Sequence, residues 1–159
     1  MRARTRRFGM RWGLVLVVAA GACSSQQADE RLSESTDPQS VPSPESEVVA
    51  AYTAAFNAHD VAAMRALMTE DIVWLSIVGD STIVEARGAE ELVSGLTAYF
   101  ADFPNVSSTV KTGDAAGAYI HAHETASWSS DGVRSSQSSL STYEIRGGRV
   151  ARVWYFPSS

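Results

Sequence analysis

The chain of 159 residues contains a single cysteine, Cys23, so no internal disulfide can form and no paired-cysteine metal motif exists. Its N-terminal apolar run, residues 13–20 (GLVLVVAA), falls well short of the roughly 20 residues that a membrane-spanning helix needs. A phosphate-binding glycine loop, a Gly-x-Ser-x-Gly nucleophile elbow and internal repeats are all missing, and nothing supports nucleophilic hydrolysis. Basic residues are scarce outside the first 22 positions. Arg2, Arg4, Arg6, Arg7 and Arg11 lie there, and without them 8 Lys+Arg face 18 Asp+Glu, a formal charge of −10. Such a surface has no footprint for nucleic acid and is repelled by anionic lipid.

What is present begins with an export signal. The five arginines form a basic n-region, residues 13–20 an apolar h-region, and Ala20-Gly21-Ala22 the small residues of a cleavage site. Ala-Gly-Ala-Cys is similar to the lipobox of bacterial lipoproteins, with Ala20 where leucine is usual. Cys23 is then the acylated first residue of the mature chain, and its acyl chains anchor it to the outer face of the bacterial cell membrane. Arg6-Arg7-Phe8 carries part of a twin-arginine pattern, leaving open which export route is used. Residues 24–45 are rich in Ser, Gln, Pro and acidic residues, with almost nothing to bury, and read as a disordered tether. The expected organisation is a lipoprotein signal peptide at 1–22, the tether with acylated Cys23 at 23–45, and one domain at 46–159.

The domain opens on two helices. Val48, Val49, Tyr52, Ala55 and Phe56 recur at three- and four-residue intervals, which makes one helix face apolar. Asp60 is a good N-cap for a second helix carrying Val61, Met64, Leu67 and Met68, with Thr69-Glu70-Asp71 as its end. Ile72-Val73-Trp74-Leu75 changes the period to that of a strand. A turn at Gly79-Asp80-Ser81 and a return strand over 82–86 follow. Gly88-Ala89-Glu90-Glu91 opens a third helix with a stripe at Leu92, Leu96, Tyr99 and Phe103, stopped by Pro104. Residues 106–112, 117–129, 133–145 and 149–156 are β-rich runs separated by tight turns, which predicts a four-stranded antiparallel meander. The class is α+β, with helices on one face of a sheet.

That order, together with Tyr52…Phe56-Asn57-Ala58-His59-Asp60, Glu70-Asp71-Ile72-Val73-Trp74, Gly88-Ala89-Glu90-Glu91-Leu92 and the Gly147-Gly148 hairpin, resembles the nuclear transport factor 2-like superfamily. The closest branch is the SnoaL-like and ketosteroid-isomerase-like one, over residues 46–157. The resemblance implies a cone-shaped roll: a curved mixed or antiparallel sheet wrapped around the N-terminal helical hairpin and the third helix, enclosing an apolar pocket. It also implies a possible homodimer through the outer sheet face. Function varies widely on this fold. Laying ketosteroid isomerases over the chain puts their oxyanion-hole tyrosine on Tyr52, their catalytic aspartate on Ser76 and their second oxyanion donor near Ser141. Serine does not titrate near neutral pH and cannot abstract a carbon-bound proton unaided, which argues against steroid isomerisation of that type.

Candidate chemistry lies elsewhere. Residues 117–129 split by period 2 into Tyr119, His121, His123, Thr125 and Ser127 on one face and Ile120, Ala122, Glu124, Ala126 and Trp128 on the other. The second set is more apolar and is expected to face the pocket, where desolvation would raise the Glu124 pKa toward neutrality. Glu124 is then a catalytic group or a polar hook for ligand, unless it pairs with an arginine such as Arg152. If the other face is inward, His123 is the acid/base candidate instead. His121-x-His123 could share a metal ion, but no third ligand is evident, so neither metal nor cofactor is expected. The expected ligand-binding residues are Tyr52, Phe56, Trp74, Ser76, Tyr99, Phe103, Trp128, Ser141, Tyr143 and Tyr155. Residues 135–141, rich in serine, read as hairpin surface. These features favour an exported, lipid-anchored domain that binds a small apolar molecule without catalysis. The alternative is a cofactor-independent acid/base enzyme (isomerase, cyclase or dehydratase type) using Glu124 or His123, with Tyr52 or Tyr143 donating a hydrogen bond.

Overall fold

The computed structural model describes residues 42–130 and 132–157. The expected signal peptide, Cys23 and all but the end of the expected tether lie outside the described residues.

Helix α1 (Pro44–Asn57) starts two residues before the domain was expected to begin. Ser43 caps it by accepting from the Ser46 N–H, Pro44 needs no partner at the first helical position, and Glu45 and Glu47 suit the helix dipole. Its buried residues are Val49, Tyr52 and Ala55. At its C-terminus Asn57 donates from Nδ2 to Ser108 O at 2.8 Å and accepts from Ser108 N–H at 2.7 Å, so the corner is fixed to a distant strand. His59 takes the left-handed conformation (φ 53°), stacks on Phe100 at 4.3 Å and donates from Nε2 to Val106 O at 2.9 Å. The Phe-Asn-Ala-His corner is therefore a structural pin.

Asp60 caps α2 (Val61–Ala66), accepting from Ala63 N–H at 2.9 Å. This helix is shorter than its helix-forming sequence predicts, and β1 (Met68–Val78) begins where the helix was expected to continue. The reason is tertiary. Val150 N–H donates to Leu67 O at 2.8 Å and Met68 pairs with Val150, so pairing with the last strand overrides local propensity. β2 (Ser81–Arg87) returns antiparallel to β1, and α3 (Ala89–Asp102) follows. The α3 stripe is Ala89, Leu92, Leu96, Tyr99 and Phe100; Phe103 is the half-buried C-cap.

β3 (Ser107–Ala116), β4 (Tyr119–Ser130), β5 (Val133–Arg146) and β6 (Arg149–Pro157) form the antiparallel meander that the turns predict. Gly147 and Gly148, both at positive φ (58° and 72°), make the two-residue turn from β5 to β6, a conformation that disfavours any residue with a Cβ. β6 then lies parallel to β1, giving one open six-stranded mixed sheet in the order β2-β1-β6-β5-β4-β3. The three helices pack on one face, with Met64, Met68, Ile72, Ile120, Val150 and Val153 fully enclosed. The opposite face is exposed, including Tyr119, Leu140 and Phe156.

Candidate functional site

Between α1, α3 and the covered face of the sheet is a partly open cavity of about 70 Å³. That is several times the roughly 10–15 Å³ one water needs on the same measure, and well below what an extended ligand fills. Its wall combines Tyr52, Thr53 and Phe56 of α1, Leu92, Gly95, Leu96 and Tyr99 of α3, and Trp74 of β1. The remaining strands add Ser108 and Val110, Glu124 and Ala126, Tyr143, and Tyr155. From β2 come Glu85 and Ala86, two neighbours in the chain that line the same space.

Period-2 alternation sends the β4 residues as the sequence divides them. Ile120, Ala122 and Ala126 are buried with Glu124 among them, while His121 and His123 are exposed on the uncovered face. His123 therefore does not reach the cavity. His121 Nδ1 lies 2.9 Å from Thr142 Oγ1 on the outer face, and the described residues hold no group of three or more possible metal ligands. Arg152 is not the partner of Glu124: it lies 3.6 Å from Glu144 and over the Trp154 ring.

Glu124 has hydroxyl partners instead. The Ser141 hydroxyl donates to its Oε1 at 2.5 Å, and the Tyr143 hydroxyl donates to the same oxygen. Oε2 receives no hydrogen bond from the described residues. Burial pushes the carboxyl above its ordinary range, and the two hydroxyls offset part of that shift. Tyr143 is itself raised, first by burial and then by the Glu124 charge. Tyr52 is raised for the same two reasons, and its buried hydroxyl has no hydrogen-bond partner among the described residues. Burial pushes Tyr99 and Tyr155 up to about 12. Every cavity tyrosine is consequently a neutral hydrogen-bond donor across the accessible pH range.

Of the residues expected to bind ligand, Tyr52, Phe56, Trp74, Tyr99, Tyr143 and Tyr155 line the cavity, and Glu124 lies among them. Four do not. Ser76 is half-buried on β1, outside the wall. Phe103 and Trp128 pack edge to face at 6.2 Å beyond Tyr99, as structural support. Ser141 holds Glu124 from behind. With Ser139 it is buried, so the expectation of a wholly superficial serine run is corrected: alternate serines of β5 point inward.

Glu85 escaped the sequence reading. Trp74 pairs with Ala86 but Leu75 pairs with Val84, leaving Glu85 as the extra residue of a β-bulge. The bulge breaks alternation, so Glu85 and Ala86 both reach the cavity. A regular strand would have sent Glu85 to the opposite face, and its sequence carries no mark of the irregularity.

Solved structures share this architecture. An uncharacterized cystatin-fold protein from Novosphingobium aromaticivorans is 26% identical over 71% of this chain and 97% of its own, with a TM-score of 0.59. An epoxide hydrolase of the LEH-like type from M. tuberculosis is 21% identical over 72% and 83%, with a TM-score of 0.57. A ketosteroid-isomerase-like fold from Catenulispora acidiphila, solved in complex with trimethylamine, is 19% identical over 69% and 83%, with a TM-score of 0.58. No curated protein matches the chain. The profile of the SnoaL-like domain matches residues 49–153, from the first buried residue of α1 to the middle of β6, and the chain belongs to that family.

Proposed function

We propose that the domain is a cofactor-independent proton-transfer enzyme acting on a small, mainly apolar carbonyl compound, with Glu124 as the general base. One observation carries this reading: a carboxylate on the wall of an aromatic cavity, withdrawn from water, with one oxygen held by Ser141 and Tyr143 and the other uncommitted. Burial raises the affinity of such a group for a proton, which suits transfer near neutrality. In the step we envisage, Oε2 takes a proton from the carbon beside the carbonyl. The C–H electron pair moves into the carbon framework, and the carbonyl oxygen gains the charge of an enolate. The unpartnered Tyr52 hydroxyl is the donor available to that oxygen. Where the substrate carries a C=C bond β,γ to the carbonyl, the enolate is a dienolate. Protonated Glu124 then returns its proton to the γ carbon, restoring the carboxylate and completing an isomerisation. With a saturated ketone the proton goes back to the same carbon and the reaction is exchange.

The sequence alone favours a non-catalytic binder, because serines occupy the positions where ketosteroid isomerases carry acids. What supports catalysis is that a carboxylate on β4, Glu124, lines the cavity. The test is deuterium uptake beside the carbonyl of cyclohexanone in D₂O, followed by NMR. Exchange catalysed by the protein should fall by roughly 10²–10⁴ in Glu124→Gln, the range typical of a lost general base. Exchange no faster than buffer, or unaffected by that substitution, would sink the assignment.

Export and lipid anchoring through Cys23 belong to the same proposal and rest on the N-terminal sequence. Cells fed an alkynyl fatty acid should label the protein, and Cys23→Ser should be unlabelled. The exposed sheet face, with Leu140 and Phe156 opposite one another, is the surface we propose for self-association. A monomer in analytical ultracentrifugation at micromolar concentration would exclude it.

A further inference from the structure

The cavity is acidic, and the described residues that line it supply no cation. Glu85 and Glu124 both line it, and among the described residues no lysine, arginine or histidine does. None of the ion pairs among the described residues reaches either glutamate. A carboxylate held out of water without a counter-charge is costly to ionise, so a site that keeps one is completed by a proton or by a cation from outside. The bulge at Glu85 makes the imbalance larger, because regular pairing of β1 with β2 would have turned that side chain away.

Around the two carboxylates stand Tyr52, Phe56, Trp74, Tyr99, Tyr143 and Tyr155. Aromatic walls attract cations through the negative potential of their ring faces, most strongly when water is excluded. Hydrophobic surface of this kind favours alkyl groups on nitrogen over a bare, strongly hydrated ammonium. The volume of about 70 Å³ matches a compact, branched group better than a flat polycyclic one.

We propose that the cavity selects a compact alkylammonium group, its positive charge balanced by Glu124 and Glu85. This rests on the reading of the cavity as the ligand site and narrows the substrate class to amine-bearing carbonyl compounds. Anionic substrates meet two carboxylates and are rejected.

Three probes of the same branching separate charge from shape: tetramethylammonium, tert-butanol and pivalate. Each is titrated into the full chain, with isothermal titration and the Trp74 indole resonance as readouts. Tetramethylammonium should bind at least tenfold tighter than tert-butanol, with pivalate weaker than both. Glu85→Gln and Glu124→Gln should each lower tetramethylammonium affinity at least fivefold and leave tert-butanol within twofold, and thermal midpoints show that both variants are folded. The inference is overturned if tetramethylammonium does not bind, if tert-butanol matches it, or if both variants bind the cation as the parent does. Cyclohexanone exchange, run in parallel, separates the two failures. Exchange without cation preference removes the present inference alone; cation preference without exchange removes only the proton-transfer reading.

Discussion

The carboxylates of this domain fall into two groups with opposite surroundings. At the helix corner and the β5–β6 turn, Glu70 lies 2.5 Å from the half-buried Arg65 and Asp71 lies 2.6 Å from Arg146, both carboxylates largely in water. The arginines beside Glu70 and Asp71 hold both carboxyls below their ordinary ranges. In the cavity, Glu124 has hydroxyls in place of guanidinium groups, and burial holds it above. The first arrangement keeps a charge at little cost, and the Asp71–Arg146 pair joins segments distant in sequence. The second makes ionisation costly, which no stability argument explains and which a proton-transfer site requires. The difference supports the proposal that function lies in the cavity while the surface charges serve architecture.

Removing the oxygen that could stabilise a reaction is the sharpest way to test the cavity side. Tyr52→Phe should lower the exchange rate by roughly 10²–10³, as loss of an oxyanion donor does elsewhere. It should also stabilise the fold by about 1 kcal/mol, because the deleted hydroxyl is buried without a hydrogen bond. Urea denaturation and the exchange assay must therefore move in opposite directions. A destabilised Tyr52→Phe would show that the hydroxyl serves packing, and would remove it from the mechanism.

Much of this arrangement is legible in the residues. Alternation along β4 separates Glu124 from His121 and His123, and the helical spacing of Tyr52 and Phe56 places them on the inner face. Capping by Asp60 and the turns at Gly79 and Gly147 mark the elements. What escapes depends on contacts distant in sequence. The strand starting at Met68 is dictated by Val150, eighty-two positions later, against a local preference for helix. Glu85 enters the cavity because pairing slips between Trp74 and Leu75, an event with no local signature. Ser141 reads as one serine among many until the register of β4 against β5 sets it beside Glu124.

The pH dependence of stability should divide along the same line. The folded state holds the Glu124 proton more tightly than the unfolded chain does. Its contribution to stability is fully present below the ordinary glutamate value and is lost as pH rises from there through the raised folded value. Glu124→Gln stays neutral and can still accept from Ser141 and Tyr143. It should therefore abolish that slope and be the more stable protein at neutral and alkaline pH. Urea midpoints measured across the acid-to-neutral range check this; a variant less stable than the parent at neutral pH would mean that the carboxylate is a structural ion after all.

The smallest effect belongs to the surface. Asp71 is lowered chiefly by its hydrogen bond from Arg146, so its contribution has the opposite sign to that of Glu124. It is present above the ordinary aspartate value and is lost as pH falls through the lowered folded one. Both partners are largely exposed, and solvent screening with side-chain entropy leaves such pairs near the limit of measurement. Asp71→Asn should leave the neutral-pH urea midpoint and the exchange rate unchanged within error. It should only slightly flatten the acid limb of the stability profile. A large loss in either quantity would mean that the β1–β5 junction under Asp71 transmits strain to the cavity, and the separation between architectural and functional carboxylates would fail.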